Sequence, residues 1–465
     1  MPTTHSIPSS VDVVVCGAGI AGIAAAHRLA CHHGVGKVLL VDSRPPLSLT
    51  SDKSAECYRN WWPGPDGAMA ALMNRSIDLL ESLADRTGNA IHLNRRGYIF
   101  ATADPEQVTR WRALAGTVEE QGIGSMRIHA GEGRGPAYTS AAPEGYPPQP
   151  TGCDLMTDEA LIQRTFPYVT GRAKGVLHVR RCGSFSGQQL GMLQLEEARE
   201  QGAVFLQAEL TGIDQAQGRV RAVRLRQGDF EHRIETGAVV LAVGPYLKPL
   251  AGLLGVDLPV STELHLKAAF QDRLGALPRE APMMIWEDPM TLDWPNAVRS
   301  ALEEDEETRH LTGRLPRGLH ARPEGKGDSR NVLVIWNVKV EPEPPQFPVP
   351  QPPHYMEVAL RGLQAMVPAV EEYLERLPRA VIDGGYYART AENRPLIGPL
   401  PVEGAFVTGA FSGFGLMASS AAGELVAAHV CGDTLPAYAP AFHPARFEDP
   451  AYLARSKGWE SDGTL

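Results

Sequence analysis

Between Val11 and Ala30 the chain reads VDVVVCGAGIAGIAAAHRLA, and no other stretch narrows the possible folds as much. Val11 to Val15 is a near-continuous β-branched run, the pattern of a strand buried on both faces of a parallel sheet. Gly17, Gly19 and Gly22 follow in G-x-G-x-x-G spacing, and an Ala-rich helix comes next. Gly17 suits the tight turn, Gly19 the close approach of backbone to a pyrophosphate, and Gly22 the packing of helix on sheet. The helix opening at Gly19, Ile20 and Ala21 then offers N–H groups and the positive end of a dipole to phosphates. The next strand, KVLLVDSR, closes on Asp42 and Ser43. A carboxylate there accepts the hydroxyls of an adenosine ribose and repels a 2′-phosphate, which disfavours NADP. Strand, turn, helix, strand and terminal acid together predict a dinucleotide site.

The same motif serves NAD and FAD, and the far end of the chain decides between them. Ala405 to Thr408 reads as a short strand, Gly409 to Gly415 (GAFSGFG) as a glycine-rich loop, and Leu416 to Val430 as a small-residue helix. A NAD domain has no use for a second such element. A reduced flavin carries negative charge along its N1–C2=O edge, and a helix N-terminus aimed there stabilises it. Gly413, Phe414, Gly415, Leu416 and Met417 are therefore expected at the flavin.

Composition limits the partners. The 465 residues suffice for roughly two or three domains. A net charge of −10 argues against nucleic acid, which requires a basic face. No run of roughly 18 apolar residues occurs, so no membrane span is expected. The N-terminus lacks a basic segment followed by an apolar one, so no signal peptide is expected. Six cysteines without metal or disulfide spacing suit a reducing compartment, most simply the cytoplasm, and no metal site is expected.

Three stretches together resemble the D-amino-acid oxidase superfamily, the group of glycine oxidase, sarcosine oxidase and dimethylglycine dehydrogenase. They are GAGIAG with Asp42, AVVLAVGPYLKPLAGLLGVDLPV (Ala238 to Val260), and AENRPLIGPLPVEGAFVTGAFSGFGLM near the end. The resemblance implies an α/β fold: a discontinuous, Rossmann-like FAD-binding domain (1–85, 151–260 and 381–465) and a mixed-sheet α+β cap domain (86–150 and 261–380). It implies that the middle strand closes against FAD at Ala242, Gly244 and Tyr246, and that the Leu210 backbone faces adenine. Candidate cap strands are LHLKAAFQD, APMMIWED, GLHARPE and NVLVIWNVKV, whose alternation fits. YMEVALRGLQAMVPAVEEYLERL reads as a helix interrupted at Pro368. The resemblance is weakest at 130–150 and 295–317, which are expected as surface insertions.

The segment SLTSDKSAECYRNWWPGPDG, Ser48 to Gly67, concentrates cations and tryptophans. In the family this loop passes over the pyrophosphate and reaches the flavin, which makes Thr50, Ser51 and Ser54 candidate hydroxyl donors. Members with histidyl-linked flavin carry a His here; this chain has none. Members linked through cysteine carry it near the place of Gly385, where no Cys stands, so non-covalent FAD is expected. By the same resemblance Arg59 falls where an arginine holds a substrate carboxylate, a role that a bidentate guanidinium suits. An i, i+3 ion pair with Glu56 is the competing use of Arg59. Tyr387 occupies the place of another family arginine, with Arg389 a possible helper, and Met417 that of a lysine. Trp61 and Trp62 fit a packed core or an aromatic wall. Lys53 is a candidate for the pyrophosphate or, through water, the flavin N5, and solvent exposure is its alternative. His320 looks like the counterpart of an oxygen-activating lysine, with a structural histidine as the alternative.

The resulting expectation is an FAD-dependent oxidoreductase acting on an amine or amino acid. Hydride would pass to flavin N5, the imine would hydrolyse, and electrons would go to O2 or another acceptor. Oxidation of a hydroxy acid or alcohol, or an FAD-carrying subunit of a hetero-oligomeric amine dehydrogenase, are the alternatives. The sequence leaves the substrate and the oligomeric state open.

Overall fold

The computed structural model describes residues 7–131, 135–146, 149–325 and 327–459. Its first sheet has six strands in the order Leu396–Pro399, Ala405–Gly409, Ala238–Leu241, Val13–Cys16, Val38–Asp42 and Val204–Gln207. All pairings are parallel except that of Leu396–Pro399 with Ala405–Gly409. The valine run explains the burial on both faces. Val13 and Val15 join a core with the helices Ile20–Cys31 and Gly415–Cys431, while Val14 and Cys16 join a second core on the other side. That second side is covered by an antiparallel meander of Glu209–Ala216, Arg219–Gln227 and Phe230–Glu235.

The helix Ala68–Arg86 shows why pattern and packing agree. Leu72, Met73, Ser76, Ile77, Leu80 and Leu83 recur every three or four residues and are buried. This face lies on the helix Gly415–Cys431, and the Ser76 hydroxyl donates to the Met417 carbonyl at 2.5 Å. Helices Ile20–Cys31 and Gly415–Cys431 approach each other nearly backbone to backbone. A Cβ on Gly423 would stand 2.7 Å from the Ala24 carbonyl carbon.

The second large sheet has nine strands, in the order Ala380–Arg389, Ser261–Gln271, Asn331–Ile335, Leu319–Glu324, Met283–Trp286, Tyr98–Thr102, Gly175–Val179, Cys153–Met156 and Met126–His129. Alternation along its strands divides its two sides. Tyr98, Phe100, Met283 and Ile285 join the core that holds Trp61, Trp62 and Phe414. Ile99, Ala101, Met284 and Trp286 face outward against Trp336 and the helix Tyr355–Met366. That helix ends before a 3-10 turn at Pro368–Glu371, where the proline was expected to interrupt it.

Strand pairing draws the border of the cap differently from the sequence. Cys153–Met156, Gly175–Val179 and Ala380–Arg389, counted by sequence with the 151–260 and 381–465 segments or straddling their limits, all belong to the nine-stranded sheet. Ala380–Arg389 pairs with Ser261–Gln271 over ten residues, a partner that no local pattern reveals. The stretch expected as an insertion at 295–317 instead holds a helix, Asn296–Glu304, and a 3-10 turn, Arg309–Thr312. Leu302, Leu311 and Leu315 bury it against the outer face of the sheet. Within 130–150 the described residues also pack on the sheet, for the Tyr138 hydroxyl meets His178 Nδ1 at 2.9 Å.

The close helix crossing predicts a sensitive site. Gly423→Val should push the two helices apart and cost on the order of 1–3 kcal/mol, read as a lower midpoint of urea unfolding. An unchanged midpoint would contradict the crossing.

Candidate active site

Strands Val13–Cys16, Ala238–Leu241 and Ala405–Gly409 are parallel neighbours, so their C-terminal ends lie along one edge. The turns that leave them line a single cavity of about 600 Å³, a size typical of ligand sites. Gly17, Gly19, Ile20 and Ala21 come from the first turn, Asp42 and Ser43 from the end of the next strand. Thr50, Ser51 and Ser54 come from the loop above, and Leu210 from the meander. Ala242, Gly244 and Tyr246 come from the middle turn; Gly413, Gly415 and Leu416 from the last. The two glycine-rich turns, almost 400 residues apart in the chain, thus share one space.

The first turn is held by contacts only glycine permits. Gly17 has φ +102°, and a Cβ on it would stand 2.3 Å from the Ala242 carbonyl oxygen. Gly22 does not reach the cavity; it sits beneath, where the Gly17 carbonyl leaves no room for a side chain. The Asp42 carboxylate accepts from the Ala18 N–H at 2.7 Å and from the Arg44 N–H at 2.9 Å. It stitches the turn to the strand end while keeping an edge on the cavity. At the opening of the helix, the Ile20 N–H donates to the Ser51 hydroxyl at 3.0 Å.

The last turn carries strain. Ala410 and Ser412 adopt φ +57° and +47°, unusual for residues with a Cβ. Gly413, at φ +89°, faces the Tyr387 ring so closely that a Cβ would lie 2.3 Å from it. Among the described residues, the buried hydroxyls of Thr408 and Ser412 have no hydrogen-bond partner, although both residues line the cavity. Buried polar atoms seldom stay unpaired. A group with hydrogen-bonding edges, held between a helix N-terminus at Ile20 and another at Gly415, fits this lining.

Of the remaining candidates, all but Tyr387 lie outside the cavity wall. Phe414 is buried and meets Trp62 edge-on at 4.9 Å between centroids. The Arg59 guanidinium lies over the Trp62 ring at 4.3 Å. Arg59 is 2% exposed, and burial pulls its pKa below the usual arginine value. Glu56, its ion-pair partner in the competing reading, accepts from the Gly187 N–H at 2.7 Å, at the start of the helix Gly187–Glu200. Met417 is buried in the core, and Gly385 lies close beneath Thr50, where a Cβ on it would stand 3.2 Å from the Thr50 Cα. Lys53 does not turn to the cavity: its ammonium pairs with Asp52 and Asp383, both at 2.7 Å. Arg389 is committed to Glu263 at 2.9 Å. Tyr387 does line the cavity, and its ring stacks on His265 at 3.9 Å between centroids. Burial pushes its phenol up to about 12, so it is a neutral donor.

His320 cannot act as the expected cation near neutral pH. Burial pulls its pKa down to about 4, against the hydrogen bond between its Nδ1 and the Gly318 carbonyl. Sequence reasoning missed Lys267. It shares a sheet face with His265 by alternation, and its ammonium donates to the Ser54 carbonyl at 3.0 Å. Burial lowers its pKa, opposed by Asp383, Glu324, Glu56 and Asp52. The signal was present in LHLKAAFQ, but only cross-strand register shows that this lysine turns inward. Among the described residues, no cluster of three or more His, Cys, Asp or Glu could hold a metal, and no helix is long and apolar enough to cross a membrane.

The family model described as DAO, FAD dependent oxidoreductase, matches residues 12–429. A search of curated proteins finds no match. Among solved structures, L-proline dehydrogenase from P. horikoshii is similar with a TM-score of 0.70 at 19% identity, over 95% of this chain and 99% of that one. Glycine oxidase from Geobacillus kaustophilus gives 0.69 at 18%, over 94% and 99%. L-amino acid deaminase from Proteus myxofaciens, in complex with anthranilate, gives 0.68 at 17%, over 96% and 95%. These likenesses describe the fold.

Two outcomes follow from the geometry. Gly413→Ala should strain the turn and drive a methyl into Tyr387, weakening flavin retention by about 1–3 kcal/mol; equilibrium dialysis against FAD measures it. For His320 the sign is fixed by its depressed folded-state pKa. The unfolded ring titrates near 6.5 and the folded one near 4. Above pH 6.5 both forms are neutral, and as pH falls toward 4 the unfolded chain binds the proton first, removing roughly 3 kcal/mol of stability. His320→Gln should therefore lose less stability than the unaltered protein across that window in urea unfolding.

Proposed function

The chain belongs to the DAO family of FAD-dependent oxidoreductases, and from that premise we propose that it oxidises the carbon–nitrogen bond of an amine or amino acid. Bound FAD supplies the two-electron acceptor for an α-hydride, and the imine left behind hydrolyses to a carbonyl compound and an amine. The observation that carries the substrate class is the placement of Arg59. It stacks on Trp62, Trp62 meets Phe414, and Phe414 stands between two cavity-lining glycines, so a buried guanidinium lies one aromatic layer from the cavity. A fixed fork of donors in a desolvated setting suits a carboxylate.

Other residues support the same reading. The helix openings at Ile20 and Gly415 present their dipole ends to the diphosphate and to the flavin's electron-accepting rim. Asp42 takes the ribose hydroxyls, with Ser43 and the Leu210 backbone beside the adenosine, and Thr50, Ser51 and Ser54 supply hydroxyls along the chain of the cofactor. The Tyr387 hydroxyl makes no hydrogen bond among the described residues and is a second donor for the substrate. Lys267, rather than Lys53 or His320, places a half-buried cation under the Ser54 loop, where it favours electron transfer to O2 or to a carrier. Attachment of FAD is non-covalent, since no histidine stands between Asp42 and Gly67 and burial holds the cavity-lining Cys16 thiol up at about 12. The six free cysteines suit the cytoplasm.

Anaerobic addition of amines and amino acids should bleach the flavin absorbance, and hydroxy acids should not. Bleaching by hydroxy acids alone overturns the proposal. For a carboxylated substrate, Arg59→Ala should raise KM about 100-fold, and an unchanged KM removes Arg59 from the site.

A further inference from the structure

A proline-rich run, EPEPPQFPVPQPP, lies between the strand Asn331–Ile335 and the helix Tyr355–Met366 and has no role in the proposed chemistry. Seven of its thirteen residues, 341–353, are proline. Proline fixes φ and has no N–H to give, so the run is stiff and poorly suited to extend a sheet.

Its two ends are tied down, which makes it a strap. Upstream, the Glu343 N–H donates to the Thr262 carbonyl at 2.8 Å. Downstream, the Gln351 side-chain amide donates to the Ile382 carbonyl at 3.2 Å, and Val349 packs against the outer core of the cap. Thr262 is in register with Ala388, so the strap follows the edge strand Ala380–Arg389 from its far end back toward Ile382.

Between the ties stands Phe347, the one aromatic residue of the run. Its half-buried ring meets three residues from three parts of the fold. Tyr386, on the edge strand, stands edge-on at 5.6 Å between centroids. Tyr246, in the turn after Ala238–Leu241, lies at 6.4 Å. The Arg44 guanidinium, just beyond the strand Val38–Asp42, lies over the ring at 5.5 Å. All three line the cofactor cavity. Arg44 and Tyr246 belong to the nucleotide-binding half and the strap to the cap, so Phe347 bolts one to the other beside that cavity. The other walls are strand ends fixed by sheet pairing and by backbone contacts such as Gly17 on Ala242. The strap is exposed along most of its length and held at few points, and such segments open at least cost.

We infer that the strap is the gate for FAD. It lifts at Phe347 to let the cofactor in or out, and it shuts by seating that ring on Arg44, Tyr246 and Tyr386. The inference rests on the reading of FAD as non-covalently held.

The test follows flavin fluorescence as full-length apoprotein takes up FAD and as diluted holoprotein releases it. Loosening a gate raises the open fraction, so uptake and release must quicken together. Phe347→Ala should speed each about 10-fold, with a far smaller change in affinity. Phe347→Tyr, which keeps the ring, should stay near the unaltered rates. Gln351→Ala removes an exposed tie without touching a core, should move both rates the same way, and keeps the test open if Phe347→Ala does not fold. Faster release with unchanged uptake overturns the gate and leaves Phe347 a wall contact. Unchanged rates in the variants that fold overturn it too, and leave the strap as a cover for the sheet edge. Flavin that stays with acid-precipitated protein overturns it at its premise, by showing a covalent bond.

Discussion

Parallel pairing of three strands that are distant in sequence is the constraint on which the rest depends. Val13–Cys16, Ala238–Leu241 and Ala405–Gly409 run the same way, so every turn leaving them must emerge at one edge. Parallel strands need long crossovers, and the crossovers here are large enough to contain the whole cap. The cofactor cavity and the domain above it are thus consequences of the same pairing. The contact that seals it is between backbones: Gly17 lies against the Ala242 carbonyl, and Gly423 lies against Ala24.

Burial then assigns chemical roles to charged residues that look alike in the sequence. Lys53 and Lys267 are both single lysines near acids. Lys53 is about a quarter exposed and held outward by Asp52 and Asp383. Lys267 turns inward and donates to a loop carbonyl. His320 is placed on the inner face of the cap, but desolvation denies it the charge that an electrostatic role would need. Arg59 keeps its charge in comparable surroundings because a guanidinium holds its proton far more tightly and can lie flat on an aromatic ring.

The nucleotide-binding half was legible because its demands are local. A turn with no room for side chains requires Gly17 and Gly22, and an acid at the end of the second strand is read directly as Asp42. Most residues expected around the cofactor do line the cavity. Those that do not, such as Gly22, Phe414 and Met417, lie just behind it, since a helix opening presents backbone to the ligand and turns alternate side chains into the core. In the cap, strands such as LHLKAAFQD were visible from their alternation, but their neighbours were not. Ala380–Arg389 joined a partner more than a hundred residues away. The stretch 295–317 also hid its apolar face among charges.

What the sequence determined by itself was the family, the α/β class, the diphosphate turn and the existence of a second turn suited to a flavin. These depend on sterics and dipoles within a few residues, and short patterns record such things. Only the tertiary structure decided which cations and acids face inward, and that Glu56 accepts from the start of a helix instead of pairing with Arg59. Each of those outcomes depends on strand register and on removal from water, both of which are set by residues far away along the chain.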